Sequence, residues 1–88
     1  MATIIRQAAA GTEDSADVIV SVEPADQLHV EIHSTLYAQF SAAIEKTVRE
    51  VLAEQNVTAG KITVQDKGAL DWILRARTEA ALGRGKGE

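Results

Sequence analysis

Val18-Ile19-Val20-Ser21-Val22-Glu23-Pro24-Ala25-Asp26-Gln27-Leu28-His29-Val30-Glu31-Ile32-His33 is the stretch on which the fold turns. Val18, Val20 and Val22 alternate with Ile19, Ser21 and Glu23, the period of two expected of a strand with one buried face. Leu28, Val30 and Ile32 repeat the pattern against His29, Glu31 and His33. The link Pro24-Ala25-Asp26-Gln27 is short and turn-prone, so the two strands are expected to pair as an antiparallel hairpin.

Downstream, Ser34 is placed to cap a long helix, its hydroxyl accepting from a backbone N–H of the first turn. Leu36, Phe40, Ile44, Val48, Val51 and Leu52 recur at three- and four-residue steps and form one apolar stripe, with Glu45, Arg49 and Glu54 off it. Asn56, which tolerates the left-handed backbone, is expected to end this helix. Gly60 leads into a third strand in which Ile62 and Val64 alternate with Lys61, Thr63 and Gln65. A second helix is predicted from about Asp66 to Leu82, burying Leu70, Ile73, Leu74 and Ala81 and closing at Gly83. Upstream, Ile4 and Ile5 are candidates for a short edge strand. The expected fold is therefore α+β, a two-layer β-β-α-β-α unit with a small, mostly antiparallel sheet covered on one face by two helices. The predicted strand order is 2-1-3, with the first strand central. Residues 1–16 read as a flexible N-terminal arm and loop, 17–82 as the domain, and 83–88, with no apolar residue to bury, as a flexible tail.

Eighty-eight residues leave room for one domain, since a chain this short buries only about 60–65% of the surface it exposes when unfolded. So small a core favours a surface-acting or partner-dependent protein over a self-contained enzyme. Thirteen acidic residues against nine basic ones give a net charge of -4, which argues against binding a phosphate backbone. One Trp, one Tyr and one Phe leave no stacking platform for single strands. Zero cysteines exclude disulfides, thiolate metal sites and cysteine catalysis, and suit a reducing compartment. The N-terminal residues lack a basic segment followed by an apolar core, and no apolar run approaches spanning length, so a soluble, cytoplasmic protein with no nucleic-acid or membrane partner is expected.

Few residues offer chemistry. Gly11-Thr12-Glu13-Asp14-Ser15-Ala16-Asp17 places small and acidic residues just before a strand and reads most simply as a solvated turn. Ser15 has no base beside it in sequence, so it is a poor self-activated nucleophile, although a separate enzyme could modify an exposed serine there. Asp66 reads as a helix N-cap. Arg75 and Arg77, two apart, cannot share a helix face, and each is a solvated charge or a contact for a partner or phosphate. Trp72 lies off the Leu70, Ile73 and Leu74 stripe and is either peripheral core or a contact residue. His29, Glu31 and His33 point the same way from one strand, a sensible metal set, but an alternating polar face is what any one-sided sheet displays.

Two segments carry a resemblance. Gly11, Thr12, Ser15 and Asp17 reproduce a Gly-Thr-x-x-Ser-x-Asp pattern, and Asp66-Lys67-Gly68-Ala69-Leu70-Asp71-Trp72-Ile73-Leu74-Arg75-Ala76-Arg77 is a longer match. Together with Gln39-Phe40, Ala43-Ile44, Val51-Leu52-Ala53 and Asn56-Val57, they resemble the citrate lyase acyl carrier family from about Ala10 to Leu82. The resemblance implies a non-catalytic subunit. It implies that Ser15 is joined through a phosphodiester to 2'-(5''-phosphoribosyl)-3'-dephospho-CoA, which carries acetyl and citryl thioesters. The implied partners are the alpha (acyl transferase) and beta (citryl lyase) subunits and a prosthetic-group transferase. Asp66, Trp72, Arg75 and Arg77 become candidate contacts for partners or for the arm. Carriers of citramalate lyase and malonate decarboxylase are the close alternatives, and a small metabolite- or partner-binding regulatory module is the more distant one. The tail after Leu82 is shorter than is usual in that family, and Asp14-Ser15-Ala16 departs from the Asp-Ser-Leu of fatty-acid carriers.

Overall fold

The computed structural model describes residues 3–34 and 40–88. Its elements run β1 (Ala8–Gly11), β2 (Val18–Glu23), β3 (Leu28–Ser34), α1 (Ser41–Glu54), β4 (Gly60–Asp66) and α2 (Asp71–Gly85). The architecture is the expected α+β one, two helices and a single sheet whose last strand in the chain, β4, comes between the helices. The four strands lie in the order β1-β2-β4-β3.

That order corrects the predicted 2-1-3. The strands of the alternating stretch do not form a hairpin, because β4 lies between them, antiparallel to β2 and parallel to β3. Their mutual antiparallel sense, which the short link demands, is preserved either way. Adjacent strands are about 4.8 Å apart, and four extended residues span roughly 13 Å, so Pro24 to Gln27 can cross the end of β4. The Gln27 carbonyl accepts from Gly60 N at 3.1 Å and so ties the link to the start of β4.

Burial explains why β4 holds the centre. Pairing places Ala8, Val22, Ile62 and Val30 in one row across the sheet and Ala10, Val20, Val64 and Ile32 in the next. Val20, Ile62 and Val64 are fully buried, whereas Leu28, Val30 and Ile32 are only partly so, as befits an edge strand. Fully burying a Val or Ile side chain is worth about 1.5–3 kcal/mol, so these rows dominate the stability of the sheet. The edge strand on the other side is Ala8–Gly11 rather than Ile4–Ile5. Small side chains there let α2 lie close over β1 and β2, while α1 packs on β3 and α2. Ile4 is buried in the core and Ile5 is exposed.

The helices also depart from expectation at their ends. Ser34 is the last residue of β3 and its hydroxyl donates to Asp66 Oδ2 at 3.3 Å; the first turn of the helix it was expected to cap lies outside the described residues. The described part of the first helix starts at Ser41, and the Leu36 position of the predicted stripe lies outside the described residues. Val48, Val51 and Leu52 are buried as expected, but Phe40 is exposed. Asn56 does adopt the left-handed backbone, with φ 58°. Asp66 is the last residue of β4, not a helix cap. Its Oδ1 accepts from Ala69 N at 3.0 Å, and α2 begins only at Asp71. Leu70, predicted to be core, is therefore in the connection and exposed, while Leu74, Thr78, Ala81 and Leu82 form the buried face. Buried Thr78 satisfies its hydroxyl by donating to the Leu74 carbonyl at 2.7 Å.

The second helix continues past Leu82 to Gly85, which is itself buried. A Cβ at Gly85 would stand 2.6 Å from Val22 Cγ2, whereas one at Gly83 would meet only the Glu88 carboxylate at 3.5 Å. The two glycines should respond oppositely to alanine. Gly83→Ala is expected to stabilise by about 0.5–1 kcal/mol through reduced backbone entropy of the unfolded chain. Gly85→Ala should destabilise by about 1–3 kcal/mol through overpacking against β2. Equilibrium denaturation in urea checks both signs.

Candidate functional site: the Ser15 loop and its helix

The loop joining β1 to β2 is built around its acidic residue. Asp17 is buried, and its Oδ1 accepts from its neighbour Val18 N at 2.8 Å. Thr12 Oγ1 donates to Oδ2 at 2.7 Å. From α2, Arg77 donates through Nε to Oδ1 at 3.2 Å and through Nη2 to Oδ2 at 3.0 Å. Such a two-point guanidinium–carboxylate contact fixes orientation as well as charge. These bonds to Arg77, Thr12 and Val18, in that order of weight, hold the carboxyl from its ordinary 3.8 down to about 2.

Each remaining position of the motif has a local reason. Gly11 has φ +111°, and a Cβ there would stand 1.7 Å from the Val18 carbonyl oxygen, so only glycine fits. Thr12 Oγ1 also accepts from Asp14 N at 3.2 Å, and so bridges the two ends of the loop. Asp17 N donates to the Asp14 carbonyl at 3.1 Å, which closes a four-residue turn with Ser15 and Ala16 at its centre. Ala16 is left-handed, φ 65°, a conformation usually reserved for glycine or asparagine. It is held there by a short backbone ladder, Ala16 N to the Lys67 carbonyl at 2.8 Å and Lys67 N to the Asp17 carbonyl at 2.9 Å. Ser15 projects at the crest, exposed.

The two segments singled out in the sequence thus meet in space. Lys67 and Arg77 lock the loop from outside, and a cleft of about 540 Å³ opens between the loop and α2. Ser15, Trp72 and Arg77 all line it, with Ile73, Ala76 and Ala80. Asp66 and Arg75 do not. Asp66 secures the end of β3 and the turn before α2. Arg75 faces α1, where it pairs with Glu50 and with Glu54 at 3.6 Å, and within α2 it pairs with Asp71 at 3.4 Å. Partial burial works against its charge, but those carboxylates more than offset this and raise its pKa. Asp71 in turn accepts from Thr47 Oγ1 at 2.6 Å, a second tie between the helices.

Sequence reasoning missed the anchoring role of Asp17 and Arg77, which are 60 residues apart in the chain. The only available signal was the spacing of Thr12 and Asp17 around Ser15. On β3, His29, Glu31 and His33 are exposed. Glu31 pairs with His33 at 3.2 Å and with Lys61 at 4.0 Å. Among the described residues no cluster of three metal-ligating side chains is gathered, and no helix is long and apolar enough to cross a membrane.

The low pKa of Asp17 has a signed consequence. The folded chain keeps the carboxylate ionised down to about 2 while the unfolded chain takes up its proton around 3.8. Its contribution to stability is therefore complete above the unfolded value and is lost as the pH falls through the folded one. Thermal melts from neutral pH to about 2 should show the gap between wild type and Asp17→Asn closing with acid. Arg77→Ala should at neutral pH lower the hydrogen-exchange protection of the Ala16 and Lys67 amides more than that of the β4 amides.

The family model described as Malonate decarboxylase delta subunit (MdcD) matches residues 5–85. The citrate lyase acyl carrier protein of Haemophilus influenzae (strain Rd) is 51% identical over 97% of this chain and 90% of its own length. That of Escherichia fergusonii is 45% identical over 92% of this chain and 86% of its own. Among solved structures, a chain of the Pseudomonas malonate decarboxylase hetero-tetramer, crystallised with malonate, shares the fold with a TM-score of 0.77 at 23% identity. The match covers 94% of this chain and 87% of that one. The locked serine loop therefore stands on a chain that belongs to the acyl carrier family comprising citrate lyase acyl carrier proteins and malonate decarboxylase delta subunits.

Proposed function

We propose that this chain is the acyl carrier subunit of a citrate lyase complex, bearing 2'-(5''-phosphoribosyl)-3'-dephospho-CoA in phosphodiester linkage on Ser15. The observation that carries the reading is the setting of that serine. It is exposed, it has no hydrogen-bond partner among the described residues, and it crowns a turn whose backbone is locked by Asp17, Arg77 and Lys67. A modifying enzyme meets a hydroxyl that is already in place, so little ordering entropy opposes docking. The residues around it suit the group. The cleft beside Ser15 is lined on its helix side by Trp72, Ile73, Ala76 and Ala80, which suit the heterocycle of such an arm, and on its loop side by Asp14 and by Asp17 paired with Arg77.

When bound, the group supplies a thiol on which acetyl and citryl units travel. The chain itself holds, orients and presents. Ser15 remains an ordinary alcohol, because the nearest buried carboxylate is committed to Arg77 and Thr12 and both histidines lie on β3, at the opposite edge of the sheet. Activation of the hydroxyl is thus assigned to the transferase that attaches the group. Tethering makes delivery between an acyl transferase subunit and a citryl lyase subunit intramolecular, so effective concentration replaces diffusion. The carrier catalyses neither step, and it acts in the cytoplasm, where a chain without cysteine needs no oxidising compartment.

A carrier for malonate decarboxylase is the second reading, favoured by the description of the matching family model and by the shared fold. The acyl group recovered from the native protein separates the two.

The test uses the natural absence of cysteine. Chain purified from its own cells should carry the added mass of the group and one titratable thiol per chain, and both should disappear in Ser15→Ala. Unmodified native mass in cells with working lyase would end the proposal.

A further inference from the structure

Trp72 is 67% exposed, more than any other large apolar side chain among the described residues. Its neighbours make the exposure specific. Trp72, Ala76 and Ala80 recur at steps of four and share one face of α2, and all three line the cleft that Ser15 borders. The two alanines leave a trough beside the indole, Ile73 adds an aliphatic wall, and Arg77 lies at its edge. Asp17 engages Nε and Nη2 of Arg77, so that guanidinium is committed to holding the loop. An exposed indole beside small aliphatic residues forms an apolar shelf on the helix, while the carboxylates of Asp14 and Asp17 line the loop side. Such a shelf suits the face of a planar heterocycle.

We propose that this face of α2 is the resting shelf of the group carried on Ser15, with the adenine stacked on Trp72 and the adjoining phosphates turned to solvent, away from the loop carboxylates. The inference rests on the carrier reading and deepens it. In a group of that constitution the phosphoribosyl bridge is attached at the adenosine 2' oxygen, so adenosine stands between Ser15 and the thiol-bearing chain. Anchoring the base creates a second pivot beyond Ser15. Only the thiol-bearing half then sweeps through solvent, over a smaller volume than the whole arm would, and its effective concentration at a neighbouring active site rises accordingly. The stacked population should exceed the free one by roughly tenfold, or about 1.4 kcal/mol.

Trp72 is the single tryptophan of the chain, so its emission reports on the shelf without a label. Modified and unmodified full-length chains, each verified by intact mass, are compared by fluorescence, by quenching with neutral acrylamide and by proton NMR. The modified chain is expected to show reduced emission, lower acrylamide access and upfield-shifted adenine protons. Trp72→Ala, an exposed substitution that leaves the core intact, should abolish the upfield shift while the mass still records the group. Equal emission and equal acrylamide access in the two chains would overturn the shelf and leave the carrier reading standing. Protection that appears only after partner subunits are added would also overturn it, by assigning Trp72 to a docking interface. A native chain without the group fails earlier, at the mass measurement, and removes the carrier reading itself.

Discussion

The closure of β4 between β2 and β3 is the constraint on which the rest of the molecule depends. Ile62 and Val64 are buried from both sides by valines and isoleucines of the flanking strands. Because that packing fixes the direction and register of β4, it also fixes where the chain emerges. The exit, Asp66 to Ala69, lies against the β1–β2 loop, and there the Lys67 backbone pairs with Ala16 and Asp17. The chain then turns back as α2, which brings Arg77 over the same loop. A hydrophobic decision in the middle of the sheet thus becomes a polar lock at its end.

The division of labour between the two halves of the site follows from distance along the chain. The β1–β2 loop can define its own turn, through Thr12, Asp14 and Asp17, but it cannot define its attitude to the domain. That is supplied by residues of the later segment. Arg75, meanwhile, ties α2 to α1 through Glu50 and Glu54, so the helix that holds the loop is itself held. Ion pairs of this kind at a surface contribute modestly to stability. Their greater effect here is positional, since each links elements that the core alone leaves free to slide.

What could be read from the sequence was what depends on near neighbours. Period-two alternation located β2, β3 and β4, helical spacing located the buried face of α1, and Asn56 took the left-handed backbone its side chain allows. The insertion of β4 was hidden because a four-residue link specifies that two strands run antiparallel, not that they touch. Ala8–Gly11 was missed as a strand because alanine has little strand preference and the edge forms only under α2. Asp66 was misplaced by five residues because an acidic residue before a helical pattern suits a cap and a turn equally well. Ser15 stood out through resemblance, while its lock could not be seen, since no local pattern links Asp17 to Arg77.

The left-handed turn at Ala16 narrows the vocabulary of the loop. Written as a pattern, Gly-Thr-x-x-Ser-x-Asp treats the residue after the serine as free. Its φ of 65° disagrees: valine, isoleucine and threonine clash with their own backbone in that geometry, and proline cannot reach it at all. Glycine would relieve the strain but would also widen the range of conformations open to the unfolded loop. Alanine is a compromise, small enough to be forced into place and stiff enough to stay there. The silent letter of the motif is thereby as constrained as its spelled ones.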